Sequence, residues 1–188
     1  MWYALFPIYD DGSIYMDKTL YPKYYCQNKK CNRILYDFEG KWLRYPVLKH
    51  DCMVLSQMNM YLISDNLVNL LNGIGCKDFH TRRIQENINV LYVTATCELR
   101  EDLMDELSYC PQCGNPLSIT FSRGFNGGKT SILRMVHDKN CMLCRSKYRI
   151  SDSTCSIYQL FVREDLAKIL KKLKCFTLCE CKDVENTL

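Results

Sequence analysis

The sequence predicts an α+β fold with a mixed or antiparallel sheet, two β-α-β-like units and a cysteine-rich module in one domain. The 188 residues have the composition of a globular chain, 47% hydrophobic and 24% charged. A strand–helix–strand pattern occurs twice, and the 13 cysteines include two pairs spaced as C-x2-C. Because no linker-like segment divides the chain, residues 1–188 are interpreted as a single domain.

The first fifty residues are rich in tyrosine and in other residues that favour strands. Residues 3–9 and 14–16, with a turn between them, predict a strand or a hairpin. A polar turn between Cys26 and Cys31 follows, and then a short predicted strand over residues 34–36. The beginning of the chain is therefore expected to be β-structure.

The clearest helix signal covers residues 64–75. Ser64 can accept a hydrogen bond from a free amide of the first turn, and Gly73 or Gly75 can adopt the left-handed conformation that ends a helix. Apolar side chains occupy one face at the helical period: Leu67, Val68, Leu70, Leu71 and Ile74. A strand rich in β-branched residues is predicted over residues 88–96.

The same pattern recurs 99 positions later, as the pair Leu67 and Leu166 illustrates (166 − 67 = 99). Acidic residues begin both helices, and Cys76 and Cys175 occupy matching places after them. Chance resemblance between two amphipathic helices is one explanation. We favour duplication or a shared modular design, because the flanking strands and their spacing match as well.

Charged residues are concentrated in three segments. The acidic segment 98–107 has leucine at every fourth position and predicts a surface helix. Basic residues are concentrated in segments 139–149 and 168–174. The formal net charge of +4 and a sequence pI of about 8.4 permit a polyanionic partner without requiring one.

The expected compartment determines how the cysteines are interpreted. The N-terminus has no basic segment typical of a secretory signal, and no apolar run approaches the length of a membrane span. We therefore expect a soluble, cytoplasmic protein without a membrane partner, in which thiols stay reduced. Closely spaced cysteines in such a protein indicate metal ligands before disulfides.

The sequence Cys110-Pro111-Gln112-Cys113-Gly114 is typical of a zinc knuckle, in which two thiolates in one tight turn reach the same ion. Two pairs are candidates to complete a tetrahedral, zinc-ribbon-like site. Cys141 and Cys144 follow after 27 intervening residues, whereas Cys26 and Cys31 lie far upstream. A separate site that adds His50 and Cys52 to the upstream pair is a further alternative. The candidate metal ligands are Cys26, Cys31, Cys110, Cys113, Cys141 and Cys144.

Catalytic motifs are not evident in the sequence. The segment Gly124–Thr130 is similar to a phosphate-binding loop, but Arg123 occupies the position of its first glycine, so a hairpin turn is the better interpretation. His50, His80 and His137 lie in no metalloprotease motif. A zinc ion with four protein ligands has no open position for water, so the zinc is expected to be structural and the protein not an enzyme.

The order of these features resembles that of the double-CxxCG-motif proteins, immunity proteins that accompany bacterial polymorphic or contact-delivered toxins. The resemblance covers residues 20–184 and depends on a first thiol pair, two strand-to-helix units and the motif Cys110–Gly114. The first motif departs from the family pattern, because Cys26 and Cys31 are spaced as C-x4-C and Asn32 replaces the glycine. Cys141 and Cys144 are additional to that pattern.

The resemblance implies that Cys26, Cys31, Cys110 and Cys113 share one ion. It also implies a function in binding, in which the protein neutralises a cognate toxin domain through a protein–protein interface. The acidic segment 98–106 would suit a basic nuclease toxin. The alternative is a zinc-ribbon nucleic-acid-binding protein that uses the knuckle and the basic residues 139–149. The sequence does not determine the oligomeric state.

Overall fold

The computed structural model describes residues 1–11, 26–28, 42–58, 60–104, 108–114, 116–118, 125–126, 128–151 and 156–185. This part of the chain is mixed α+β, with mostly strands and two α-helices. The helices are α1 (Asp65–Gly73) and α2 (Glu164–Leu170), and 3-10 turns cover Ser56–Met58, Glu101–Leu103 and Lys171–Leu173. The strands are β1 (Trp2–Pro7), β2 (Cys52–Leu55), β3 (Met60–Ile63), β4 (Phe79–Gln85), β5 (Ile88–Val93), β6 (Thr96–Leu99), β7 (Ser108–Tyr109), β8 (Pro116–Ser118), β9 (Phe125–Asn126), β10 (Lys129–Thr130), β11 (Leu133–Val136), β12 (Leu143–Ser151), β13 (Ser156–Arg163) and β14 (Phe176–Cys181).

The described strands form a large sheet, a small sheet and a separate hairpin. The large sheet has eight strands in the order β11-β6-β12-β13-β1-β14-β10-β9, in which only the β6–β12 and β10–β14 pairs are parallel. The small sheet has four antiparallel strands in the order β2-β3-β5-β4. Strands β7 and β8 pair only with each other in this part of the chain, and the Cys110–Cys113 turn connects them.

Each α-helix connects two strands of one sheet that enclose a third strand. Helix α1 leads from β3 to β4 with β5 between them, and α2 leads from β13 to β14 with β1 between them. The enclosed strand is antiparallel to both neighbours, so each connected pair runs in the same direction. The four strands β12-β13-β1-β14 of the large sheet therefore have the same arrangement as β2-β3-β5-β4 of the small sheet. That the two arrangements arose by duplication stays a prediction.

The two arrangements share a hydrophobic cluster that contains residues from both sheets and both helices. Residues that are 99 positions apart contribute to it in pairs: Ile63 and Val162, Leu67 and Leu166, Leu71 and Leu170, Cys76 and Cys175. Successive strand residues point to opposite faces, so Leu62 lies in a second cluster and Phe161 in a third. Equivalent side chains of the two arrangements are therefore buried in one core.

The prediction of a helix near residues 64–75 is confirmed. The Ser64 Oγ accepts a hydrogen bond from the Leu67 amide at 3.0 Å, as the N-cap position requires. Gly75 has a φ of +74°, which few residues other than glycine adopt without strain. Neither α-helix of the described chain is long and apolar enough to cross a membrane.

The prediction of a helix over residues 98–107 is wrong where the structure describes it. Glu98 belongs to β6, and residues 101–103 form a 3-10 turn. Strand β6 pairs with β11 on one side and β12 on the other, and it buries Cys97 and Leu99. These pairings outweigh the helical spacing of the leucines. The predicted strand 88–96 is likewise divided between β5 and β6.

Two further predictions are confirmed, and two others lie outside the described residues. The hairpin interpretation near Gly124–Thr130 is confirmed, because β9 pairs antiparallel with β10 and Gly128 has a φ of +79°. Strand β1 confirms β-structure at the N-terminus. The predicted strands at 14–16 and 34–36 lie outside the described residues.

We predict that Ser64→Ala lowers the free energy of unfolding by about 1–2 kcal/mol, because it removes the N-cap acceptor of α1. The variant also loses the 2.6 Å hydrogen bond that the Ser64 hydroxyl donates to Asp51. Urea unfolding followed by circular dichroism measures the loss. Ser64→Thr, which keeps the hydroxyl, is the control and should retain most of the stability. An alanine variant as stable as the wild type would contradict the prediction.

Candidate metal centre

Three cysteine side chains from two distant segments meet at one place. The Sγ atoms of Cys26, Cys110 and Cys113 all lie within 4.8 Å of one another. Cys26 and Cys110 are 84 positions apart, yet their Sγ atoms are 3.5 Å apart. Cys26 and Cys110 are buried, and Cys113 is half-buried. Such close packing of thiols from separate segments is typical of a metal site.

The turn between β7 and β8 positions two of the three sulfur atoms. The Gly114 amide donates to the Cys110 carbonyl at 2.8 Å, and Gly114 has a φ of +68°. The left-handed residue closes the turn after Cys113 so that both side chains point to the same side. The amides of Gln112 and Cys113 donate to the Cys110 sulfur. The sequence Cys-Pro-Gln-Cys-Gly therefore folds locally into a thiolate-binding turn.

These contacts change the acidity of Cys110. Burial acts to raise the pKa of the Cys110 thiol. Hydrogen bonds from the two amides and from the thiols of Cys26 and Cys113 have the opposite and larger effect, so the pKa falls from 9.0 to about 6. By contrast, burial raises the pKa of Cys144 well above 9.0. The thiolate is the form that binds metal ions. Cys110 is therefore prepared as a ligand at neutral pH, and Cys144 is not.

The three residues fit a thiolate-coordinated metal ion. In a tetrahedral site with Zn–S bonds of about 2.3 Å, two sulfur ligands are about 3.8 Å apart. The observed 3.5 Å between Cys26 and Cys110 and the 4.8 Å limit for the whole group are close to that spacing. A set of three sulfur donors favours soft or borderline ions over Mg²⁺ or Ca²⁺. This cluster can therefore hold a metal ion. Cys31 lies outside the described residues.

The structure places Cys141 and Cys144 away from this cluster. Both are fully buried in the hydrophobic cluster that also contains Cys97, and Cys144 lies next to Cys97 and Cys141. The Cys141 Sγ donates to the Leu143 carbonyl at 3.2 Å. Across the described ranges, Cys26, Cys110 and Cys113 form the only group of three or more potential ligand atoms this close together. Of the two pairs left open by the sequence, Cys26 of the upstream pair lies at the knuckle, and neither Cys141 nor Cys144 does.

The separate site suggested for His50 and Cys52 is not assembled in the described structure. The His50 ring stacks on Tyr9 with 3.6 Å between ring centroids. Cys52 is buried in the cluster shared by the two helices, near Cys175. Burial raises the pKa of Cys52 well above 9.0, which suits a small apolar side chain better than a ligand.

Two of the four basic residues of the nucleic-acid alternative, Lys139 and Lys147, are exposed, whereas Arg145 and Arg149 are not. Arg145 donates from Nε to the Val93 carbonyl at 3.0 Å and lies 4.3 Å from the centroid of the Tyr158 ring. Arg149 is only 1% exposed. Of the three cations in β12, Lys147 alone is exposed. Phosphate contacts through Arg145 and Arg149 would require both side chains to move.

The acidic segment 98–106 is largely paired with cations where it is described. Glu98 lies 3.0 Å from His137 and 4.0 Å from Arg134. Asp102 forms an ion pair with Arg100 at 2.7 Å. These pairs weaken the negative field that would attract a basic toxin. Residues 105–107 are outside the described chain.

Comparisons of this chain with protein-family models, with curated proteins and with solved structures find no match. The function is therefore argued from the cysteine cluster and the surfaces around it.

Sequence reasoning missed the burial of Arg149. The basic residues 139–149 predict a surface that includes Arg149, but the β12–β13 pairing shifts in register between Arg145 and Arg149 and the guanidinium is buried. No sequence signal marks the shift, because a β-bulge depends on the partner strand.

We predict that Cys110 in the metal-free protein titrates with a midpoint near pH 6, below the ordinary value of 9.0. Because the folded-state pKa is lowered, ionisation of Cys110 stabilises the fold fully above pH 9 and this contribution is lost as the pH falls through about 6. The thiolate absorbance of the wild type minus that of Cys110→Ser measures the titration. A midpoint near 9 would contradict the local geometry.

Proposed function

We propose that this protein is a zinc-stapled immunity protein that binds a bacterial toxin domain and neutralises it through a protein–protein interface. The approach of Cys26 to the Cys110–Cys113 turn supports the proposal. This is the pairing implied by the resemblance to double-CxxCG-motif proteins, in which an upstream thiol pair and a downstream pair share one ion. The neighbouring C-x2-C pair, Cys141 and Cys144, is the simpler choice from sequence spacing alone.

We assign zinc to the cluster because of its ligand chemistry. Thiolates are common ligands of structural zinc, and Cys31 is the candidate for the fourth position. Bound zinc would supply a cross-link between the N-terminal segment and the β7–β8 hairpin. Cys26 and Cys110 are 84 positions apart. A cross-link that closes so long a segment restricts the conformations of the unfolded chain and thereby favours the folded state. Four cysteine ligands would leave no position for substrate, so the proposed role of the metal is structural.

Exposed apolar side chains near the N-terminal segment support a role in protein binding. Leu43 is 62% exposed and Val47 72% exposed, and Tyr45 lies between them in the chain. Ile8 is 52% exposed, and it lines the same groove as Val47. Grouped apolar and aromatic side chains on a surface are typical of interaction sites. We propose that this apolar strip, which consists of Ile8, Leu43, Tyr45 and Val47, contributes to the toxin interface.

We predict that the purified protein contains about one zinc ion per chain. Cys26→Ser, Cys110→Ser and Cys113→Ser should each lose most of the zinc, because three sulfur donors bind far more weakly than four. Cys141→Ser and Cys144→Ser are the matched controls from the other C-x2-C pair and should keep it. Elemental analysis of the gel-filtered proteins measures the content. Loss of zinc in the controls but not in the Cys26 variant would contradict the assignment.

The immunity function predicts that co-expression protects cells from a toxin domain. The domain to use is the variable C-terminal domain encoded by a toxin gene next to the gene for this protein. Growth should be restored by the wild type and by Lys172→Gln, an exposed residue outside the cysteine cluster and the apolar strip, and lost with Cys110→Ser. The two purified proteins should also form a stable complex. Absence of both protection and complex formation would contradict the function, and salt-sensitive binding to DNA or RNA would favour the alternative.

A further inference from the structure

The large sheet curls on itself until strands from its two sides meet. Strand β10 pairs in parallel with the end of β14, and β11, which follows β10, reaches the residues beyond β14. There Glu185 forms a parallel bridge with Met135 of β11, and its amide donates to the Arg134 carbonyl at 2.7 Å. These contacts close a ring of six strands in the order β11-β6-β12-β13-β1-β14.

A single hydrophobic cluster fills the interior of this ring. Every strand of the ring contributes a buried residue to it: Ala4 of β1, Cys97 of β6, Leu133 of β11, Cys144 of β12, Phe161 of β13 and Cys179 of β14. Because side chains pack the interior, space for a ligand lies at the ends of the ring and not within it.

A cleft of about 320 Å³ lies at one end of the ring, and we call it the end cleft. Strands β11, β13 and β14 end there, and β1, which is antiparallel to β13 and β14, begins there. Trp2, Val136 and Val184 form its apolar wall. The Trp2 side chain is half-buried, so part of its indole ring is accessible from the cleft. The open end of a closed sheet is a common place for a small ligand.

Four charged residues also line the end cleft, and two of them are already paired. Arg163 and Glu185 each form an ion pair with a residue outside the cleft, at 2.8 and 3.2 Å. Asp138 and Lys139 are exposed and belong to none of the ion pairs within 4.0 Å between described residues. The Asn140 amide donates to the Asp138 carboxylate at 2.8 Å, and Arg163 donates to the Lys139 carbonyl at 3.1 Å. The rim therefore offers one carboxylate and one ammonium group on adjacent residues.

We propose that the end cleft binds a free amino acid with an apolar side chain, such as phenylalanine. The side chain of the ligand packs against Trp2 and the two valines, its ammonium group pairs with Asp138, and its carboxylate pairs with Lys139. A free α-amino acid carries both charges close together at neutral pH, as the adjacent positions of Asp138 and Lys139 require. A simple carboxylate would meet a like charge at Asp138, and a simple amine would meet one at Lys139.

Three probes with the same phenyl group separate the contributions of the two charges. They are phenylalanine, phenylpropionate, which lacks the ammonium group, and phenethylamine, which lacks the carboxylate. Each is titrated into the full-length protein at constant pH and ionic strength, while NMR follows the indole N–H resonances of the 2 tryptophans. The resonance that is absent from Trp2→Phe should shift in a saturable manner with phenylalanine, and that of the buried Trp42 should not. Phenylalanine should bind about fivefold more tightly than either other probe.

Neutral variants of the two charged residues test their separate roles. Lys139→Gln should weaken the binding of phenylalanine and phenylpropionate about fivefold and leave that of phenethylamine unchanged. Asp138→Asn should weaken the binding of phenylalanine and phenethylamine and leave that of phenylpropionate unchanged. Lys172→Gln is the control, because Lys172 is exposed in the 3-10 turn before β14, whereas the cleft lies beyond the other end of that strand. Its affinities for all three probes should match the wild type.

The same measurements can contradict the proposal. Absence of a saturable Trp2 shift with phenylalanine would overturn the site. Equal affinity for the three probes, or unchanged phenylalanine binding in Lys139→Gln and Asp138→Asn, would overturn the amino acid as its ligand. If Trp2→Phe fails to fold, sequential assignment of the wild-type spectrum identifies the Trp2 indole directly. No toxin domain is used, so the result is independent of the immunity function.

Discussion

The convergence of Cys26, Cys110 and Cys113 is the constraint on which our account of the molecule depends. It connects a segment near the N-terminus to a short hairpin that otherwise pairs with no described strand. A two-stranded hairpin is marginally stable by itself, and an ion bound by the three cysteines would stabilise it. The Tyr109 ring packs edge-on against Tyr148 of β12, which connects the same hairpin to the large sheet. The hairpin that carries Cys110 and Cys113 thus contacts both the segment of Cys26 and the large sheet.

The cysteines of this protein serve two purposes, and their surroundings distinguish them. Around Cys110, amides and neighbouring thiols favour the thiolate and lower the pKa to about 6. In the cores, burial prevails and raises the pKa of Cys76 and Cys175 to about 11. Thiols of the second kind pack as small apolar side chains. A high cysteine count therefore reflects both a candidate metal centre and ordinary core packing.

Predictions from local signals are confirmed, whereas the residues alone did not determine the features that depend on distant partners. Ser64 and Gly75 define the ends of α1 by chemistry within a few residues, and the equivalent leucines Leu67 and Leu166 follow from periodicity. The helix predicted over residues 98–107 is wrong where it is described, because the pairing of β6 with β11 and β12 is invisible in the sequence. The choice of Cys26 over Cys141 and the burial of Arg149 also depend on tertiary contacts.

The central claim is that sulfur atoms from both segments bind one zinc ion. X-ray absorption at the zinc edge of the purified full-length protein tests this most directly, because it reports the type and number of atoms bound to the metal. Our account predicts a first shell of four sulfur atoms at about 2.3 Å, one of which is replaced by a lighter atom in Cys26→Ser. A shell dominated by nitrogen or oxygen, or one unchanged by that substitution, would contradict it.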